Sequence, residues 1–426
     1  MKVFSFKRIF FILVLCAVLP AVFINEACGD VRYYVTQDGA GSKDGTSWEN
    51  AANNLKGLMD SIEGEAEIWV AMGKYSPGVE SDDTFALKKG IKIYGGFTGK
   101  ENALDRRNIE GNATLLDGGK ILRCSAVVTA HSGALSSDTC LDGFTITGGL
   151  NITTNGGGLY SQVGSGPLIT KCVFSDNIAI LNGGGMYNFY STPFITDCTF
   201  YNNTSFYENG GAVCNFYASP AIGNCTFIKN KADLYGGGMF NYGAIVEVTD
   251  CTFIENRSRQ RGAGMSNLDS TVVVANCKFS GNHGEEYGGG MFNEDAVTEV
   301  RDSAFWNNIA SPGNGGGMAN VKSSVVVEGC RFLMNSSDYY GGGIINENSQ
   351  QVKISGCAFF ENKAIRFNGG GIANWSSSPI INGCRFYENT AIQGGGIFNN
   401  YSSSTMEDNI FSGNKAKTGN DIEEKK

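Results

Sequence analysis

Histidine is nearly missing from this chain of 426 residues: only His131 and His283 occur. That excludes a multi-histidine metal centre. Proline is scarce too, 7 residues against 59 glycines, which excludes collagen and argues against a flexible Pro/Gly-rich linker. No run of Lys and Arg occurs and the formal net charge is −9. A nucleic-acid partner is therefore not expected. Charged residues make up 18% and hydrophobic residues 42%, too apolar a balance for a disordered chain.

The one long apolar stretch stands at the N-terminus. Lys2, Lys7 and Arg8 precede the run Ile9 to Ile24, which Pro20 interrupts. This reads as a secretory signal over residues 1–29, with Ala27-Cys28-Gly29 as the small-residue cleavage site. The mature chain would then be an acidic, exported protein, and no later stretch reaches the ~20 apolar residues of a membrane helix.

The glycine surplus is periodic. From Gly156 onward a glycine cluster recurs ten times, at intervals of 25 to 28 residues, and accounts for 28 of the 59 glycines. A second column follows each cluster: Cys172, Cys198, Cys225, Cys251, Cys277, Ser303, Cys330, Cys357, Cys384 and Asn409. Two residues later stands a phenylalanine every time: Phe174, Phe200, Phe227, Phe253, Phe279, Phe305, Phe332, Phe359, Phe386 and Phe411. Three residues further stands an asparagine every time: Asn177, Asn203, Asn230, Asn256, Asn282, Asn308, Asn335, Asn362, Asn389 and Asn414. Another Asn column, Asn188 through Asn399, closes the glycine motif.

Columns two residues apart share one face of a strand. The Ile/Val column three residues before Cys breaks that alternation and predicts a bend between two short strands. A unit of this length, with no helical spacing, cannot bury its own apolar face; stacking successive units buries it. The expected fold is all-β: a right-handed single-stranded parallel β-helix, one coil per unit, rising about 4.8 Å per coil. Phe forms an aromatic ladder inside, and Asn forms an amide ladder at a turn, since its side chain both donates and accepts.

Residues 156–414 then hold ten repeats, preceded by irregular first coils over 116–155. Residues 30–115 read as an N-terminal cap with first strands and a short helix from Trp48 to Ile62, capped by Ser47. Residues 415–426 read as a polar tail.

Gly-Gly-[Gly/Ala]-[Met/Ile/Leu] followed by Phe-x-x-Asn, once per coil, resembles the repeats of the polymorphic outer membrane proteins of bacteria. The N-terminal region, with Thr46-Ser47-Trp48, Ile68-Trp69-Val70-Ala71 and Gly95-Gly96-Phe97, is similar to the leading part of large bacterial β-helix repeat proteins. The resemblance implies a secreted or surface-displayed passenger and, in some members, adhesion to host cells. Family members often end in a β-barrel translocator; here the last residues, Glu423-Glu424-Lys425-Lys426, are not barrel-like.

The cysteine column reads as buried free thiols, because stacked Cβ atoms lie one strand spacing apart rather than the ~3.8 Å of a disulfide. Cys124 and Cys140 lie outside it and are the candidate pair. No metal or cofactor site is expected. Calcium-binding solenoid repeats need an Asp where this motif has Asn. Glycosidic hydrolysis needs two placed carboxylates; Asp197, Asp250 and Asp302 recur on alternate coils, with Asn224 and Asn276 between, which reads as a solvated face. Phe189, Tyr190, Phe216, Tyr217 and Tyr242 follow the Asn of successive glycine motifs, and stacking brings them into one aromatic strip suited to sugar rings or protein partners. The expected function is a non-enzymatic surface or extracellular binding module. Its partner is a glycan or a cell-surface protein. A polysaccharide lyase or hydrolase is the alternative, and a structural spacer the second.

Overall fold

The computed structural model describes residues 31–122, 124–131 and 135–425. The segment read as a signal peptide lies outside them. Every strand pairing is parallel. Four sheets run along the solenoid, and each of the central coils contributes one short strand to each in turn. Sheet I has 14 strands, from Val31–Val35 to Thr405–Glu407. Sheet II has 13, from Gly73–Tyr75 to Ile410–Ser412, and carries the Phe ladder. Sheet III has 13, from Phe85–Ala86 to Ile422–Lys425, and follows the glycine clusters. Sheet IV has nine two-residue strands, from Leu150–Asn151 to Lys363–Ala364, and follows the Asn ladder.

Each coil turns its corners with left-handed residues. In one coil these are Gly183 (φ 69°), Tyr190 (φ 46°), Asp197 (φ 55°) and Asn202 (φ 53°). The bend before the Cys column is the third of these, and Asp, Asn and Gly dominate it because they tolerate this backbone best. Sheet I strands start directly after Pro167, Pro193, Pro220 and Pro379, as at Phe194 and Ile380.

Inside, the ten phenylalanines stack nearly parallel; Phe227, Phe253 and Phe279 have centroids 4.5 and 4.6 Å apart. The Asn ladder is continuous. Asn203 Nδ2 donates to Phe174 O at 2.8 Å and to Asn230 Oδ1 at 3.0 Å, and Asn230 repeats the pattern toward Asn256. A second ladder runs under sheet III, where Asn188 Nδ2 donates to Asn215 Oδ1 at 2.8 Å. The Cys column accepts backbone N–H groups from the preceding coil: Cys225 N donates to Cys251 Sγ at 3.3 Å. Ser303 Oγ and Asn409 Oδ1 do the same for Cys277 and Cys384, so an acceptor is what the position requires. All described cysteines are free, Cys124 exposed and Cys140 buried.

Two boundaries differ from the sequence reading. The Trp48–Ile62 segment is a 3-10 turn, Trp48–Asn50, followed by a helix over Leu55–Ser61 that Asn54, not Ser47, caps through Gly57 N. A continuous helix is prevented because Ala52 pairs with the first strand, giving its N–H to Tyr34 O and accepting from Thr36 N. The polar tail is built into the solenoid: Gly419 takes the left-handed glycine position (φ 59°) and Ile422–Lys425 pairs with Ile397–Asn400.

Candidate functional site: the outer face of sheet III

In a sheet III strand such as Met186–Phe189, Met186 and Asn188 point inward and Tyr187 and Phe189 outward. Register then stacks outward residues into columns. Phe189, Phe216 and Tyr242 form one. Phe216 and Tyr242 stack at 4.9 Å, and Phe189 lies 6.2 Å from Phe216. Tyr190 and Tyr217 occupy the left-handed corner beside this column. Their rings stack at 5.0 Å, and the two residues are 47% and 41% exposed, so both reach solvent. All five residues of the expected strip are thus brought together. Tyr217 lies edge-on to Tyr242 at 5.4 Å, and hydrogen bonding with Tyr242 raises its phenol pKa.

The strip stops at Gly243, the next corner (φ 57°). A Cβ there would come within 2.4 Å of the Tyr217 ring, which leans over the bare backbone.

The rest of this face has no counterpart among the residues singled out from the sequence. Tyr187, Cys214 and Phe240 form a buried cluster beneath the strip, although they point away from the main core. A second cluster, Phe292, Ala319, Ile345 and Ala373, continues it along later coils. Tyr235 packs against the first cluster, and Tyr287 and Tyr340 against the second. Each directly precedes a glycine cluster, on alternate coils, and that recurrence was the available signal. Burial raises the phenol pKa of Tyr187, Tyr287 and Tyr340.

Arg261 stands between the two clusters. It lies 5.3 Å from the Tyr287 ring and 5.2 Å from Phe292, and pairs with Glu286 at 3.1 Å and Glu294 at 3.0 Å. Burial works against its charge, but those carboxylates hold its pKa above the ordinary value. Further along, Tyr287 Oη donates to Glu347 Oε2 at 3.2 Å. The face can therefore stack flat apolar rings and exchange hydrogen bonds with hydroxyls beside them.

Asp197, Asp250 and Asp302 lie elsewhere, exposed at the left-handed corner between sheets I and II (φ 55°, 54° and 48°). Their recurrence follows from that backbone geometry. No group of three or more His, Cys, Asp or Glu suited to a metal occurs among the described residues, and no described helix is long and apolar enough to cross a membrane.

Four parallel sheets wound into stacked coils define a parallel β-helix with a laterally exposed aromatic face. The family model described as "Right handed beta helix region" matches residues 133–305 and 293–423, and the chain belongs to that family. No curated protein matches. Among solved structures, it is similar to the mannuronan C-5 epimerase AlgE6 A-module of Azotobacter vinelandii, with 10% identity over 87% of this chain and 94% of that one and a TM-score of 0.47. It is also similar to pectate lyase Pel9A (12% identity, 89% and 78% covered, TM-score 0.33). The surface adhesin PfbA of Streptococcus pneumoniae matches at 10% identity, with 85% and 88% covered and a TM-score of 0.33.

Proposed function

We propose that this chain is an exported, surface-associated β-helix binding module that takes a glycan along the outer face of sheet III. The observation that carries the reading is the stacked, half-exposed pair Tyr190–Tyr217 over the Phe189–Phe216–Tyr242 column. Such rings give a large contact area at low entropic cost. The resemblance of the repeats to surface-displayed passengers supports the same reading. The test is retention of neutral and acidic polysaccharides by the purified chain, with released product scored in the same tubes. Retention without product, weakened about tenfold in Tyr190→Ala and Tyr217→Ala, supports a binding module. Retention unchanged in both variants overturns the placement.

A second reading, a glycoside hydrolase, has one observation in its favour. Glu294 and Glu347 occupy one outward column of sheet III, two coils apart through Val321. Two strand spacings separate their Cα atoms by about 9.6 Å, and glycoside hydrolysis needs two carboxyl groups on one face. Released oligosaccharide that disappears in both Glu294→Gln and Glu347→Gln would establish the enzyme.

A further inference from the structure

The outer face of sheet II leaves an apolar column open to solvent. A strand such as Arg385–Tyr387 sends Phe386 inward to the ladder and Arg385 and Tyr387 outward. Parallel register stacks Trp306, Leu333, Phe360 and Tyr387 into one column on four successive coils. Trp306 is 52% and Phe360 38% exposed, and the Phe360 and Tyr387 rings stack at 4.9 Å. None of the four belongs to a buried cluster, unlike the aromatic residues beneath the outer face of sheet III. The same column reaches back through Ser280 and Ile254 to Tyr201, which is also exposed.

Charge borders this column and is sorted by sign. Two residues earlier in their strands stand Arg331 and Arg385, with Ala358 between them. On the other side, at the left-handed corner that follows the column, stand Glu361 and Glu388. All four charged residues are exposed, and none makes an ion pair among the described residues. Arg385 and Glu388 are three extended residues apart, about 10 Å, with the apolar column between them. One copy of the chain therefore leaves both borders unneutralised.

We propose that this face pairs with the same face of a second copy, about a two-fold axis that runs parallel to the solenoid. Rotation about that axis exchanges left and right but keeps height along the coils. Apolar column then meets apolar column, and the arginine border of each copy meets the glutamate border of the other. Arg385 faces Glu388 of the second copy on the same rung, and Arg331 lies one rung, about 4.8 Å, from the level of Glu361. A two-fold axis across the solenoid would instead set arginine against arginine and glutamate against glutamate, which like-charge repulsion opposes. Charge thus selects a parallel pair. The glutamate border also repels a nucleic acid or an anionic lipid surface. From Tyr201 to Tyr387 the face is about 34 Å long and, with both borders, about 15 Å wide. That is roughly 500 Å² per copy, below the ~800 Å² of a standard interface, so the pair is expected to be of micromolar strength. This surface is separate from the outer face of sheet III and does not rest on the glycan reading.

Sedimentation velocity of the purified chain, from about 1 to 100 μM, is expected to show a reversible monomer–dimer equilibrium. Trp306→Ser/Phe360→Ser, both at exposed positions, should weaken it about tenfold with an unchanged circular dichroism spectrum. Arg385→Glu and Glu388→Arg should each weaken it too, and Arg385→Glu/Glu388→Arg should recover it, because opposite charges face each other again. Ser280 and Tyr387 lie four rungs apart. In a Cys124→Ser background, Ser280→Cys and Tyr387→Cys should each be joined copy to copy by a short bismaleimide, which antiparallel copies can achieve at no more than one of them. Tyr190→Ala/Tyr217→Ala should leave the dimer intact, so this proposal and the glycan reading fail separately. A chain that stays monomeric throughout that range, or a dimer indifferent to Trp306→Ser/Phe360→Ser, would overturn the proposal. No recovery in the charge swap, or cross-linking at only one of the two positions, would overturn the parallel arrangement. Flotation of a monomeric chain with phosphatidylglycerol vesicles, lost in Trp306→Ser, would reassign the face to a membrane.

Discussion

Arg107 and Asp142 form a buried ion pair, Nη2 to Oδ2 at 2.6 Å, with side chains only 7% and 9% exposed. Arg107 Nη1 also donates to Gly95 O at 3.2 Å, so one guanidinium ties the loop after sheet I to the backbone of two successive coils. Breaking one partner of such a pair strands a charge. Arg107→Met is expected to destabilise the chain by about 3–5 kcal/mol, whereas Arg107→Met/Asp142→Leu should cost less, because no charge is left unpaired. Thermal melts of the two variants check this.

The Asn ladder carries a comparable expectation. Asn256 Oδ1 accepts from both Asn230 N and Asn230 Nδ2 at 3.0 Å, and its Nδ2 donates to Phe227 O and Asn282 Oδ1. Asn256→Leu leaves several buried groups unsatisfied, at about 1–3 kcal/mol each. A lowered urea midpoint should be accompanied by faster amide exchange at Asn230, where the lost acceptor was.

Glycines of one cluster should differ sharply in tolerance. Gly288 has φ 62°, and a Cβ on it would lie 2.2 Å from Met291 O. Gly290 keeps an ordinary φ; a Cβ on it would lie 2.5 Å from Gly317 O, but the equivalent place in an earlier coil already holds Ala212, so a small backbone shift admits a methyl there. Gly288→Ala, strained by its positive φ as well as by contact, is therefore expected to lower the melting temperature more than Gly290→Ala. Equal effects of the two would contradict the role assigned to the left-handed corner.

Thiol chemistry should separate Cys124 from the rest. Burial pushes the thiols of Cys140 and Cys214 well above the ordinary range, which leaves little thiolate at neutral pH. Iodoacetamide at pH 8 followed by peptide mapping should label Cys124 in the native chain and the column cysteines only after denaturation. Rapid native labelling of Cys198 or Cys330 would be inconsistent with their burial.

The Phe, Cys and Asn columns were legible because parallel register repeats one chemical requirement at one spacing: Phe-x-x-Asn recurs in all ten units. The aromatic strip was legible for the same reason, since Phe189, Phe216 and Tyr242 occupy equivalent positions. The helix start was not, because Ser47 is an acceptable cap and only the long-range pairing of Ala52 with Tyr34 moves the helix to Asn54. Gly419 stands in a weakened motif, Gly419-Asn420-Asp421-Ile422, and the last strand hid behind its polar composition.

Apart from one shift between Trp69 and Ala71, the strand pairings of the described residues run from coil to coil without a slip. A commensurate surface follows. A polymer whose units repeat at the same interval can engage several rungs at once, and each further unit binds at the high effective concentration set by the units already held. Affinity would then grow with the number of matched units rather than with the quality of any one contact. Where neighbouring rungs are alike, the polymer could also advance by one unit without letting go.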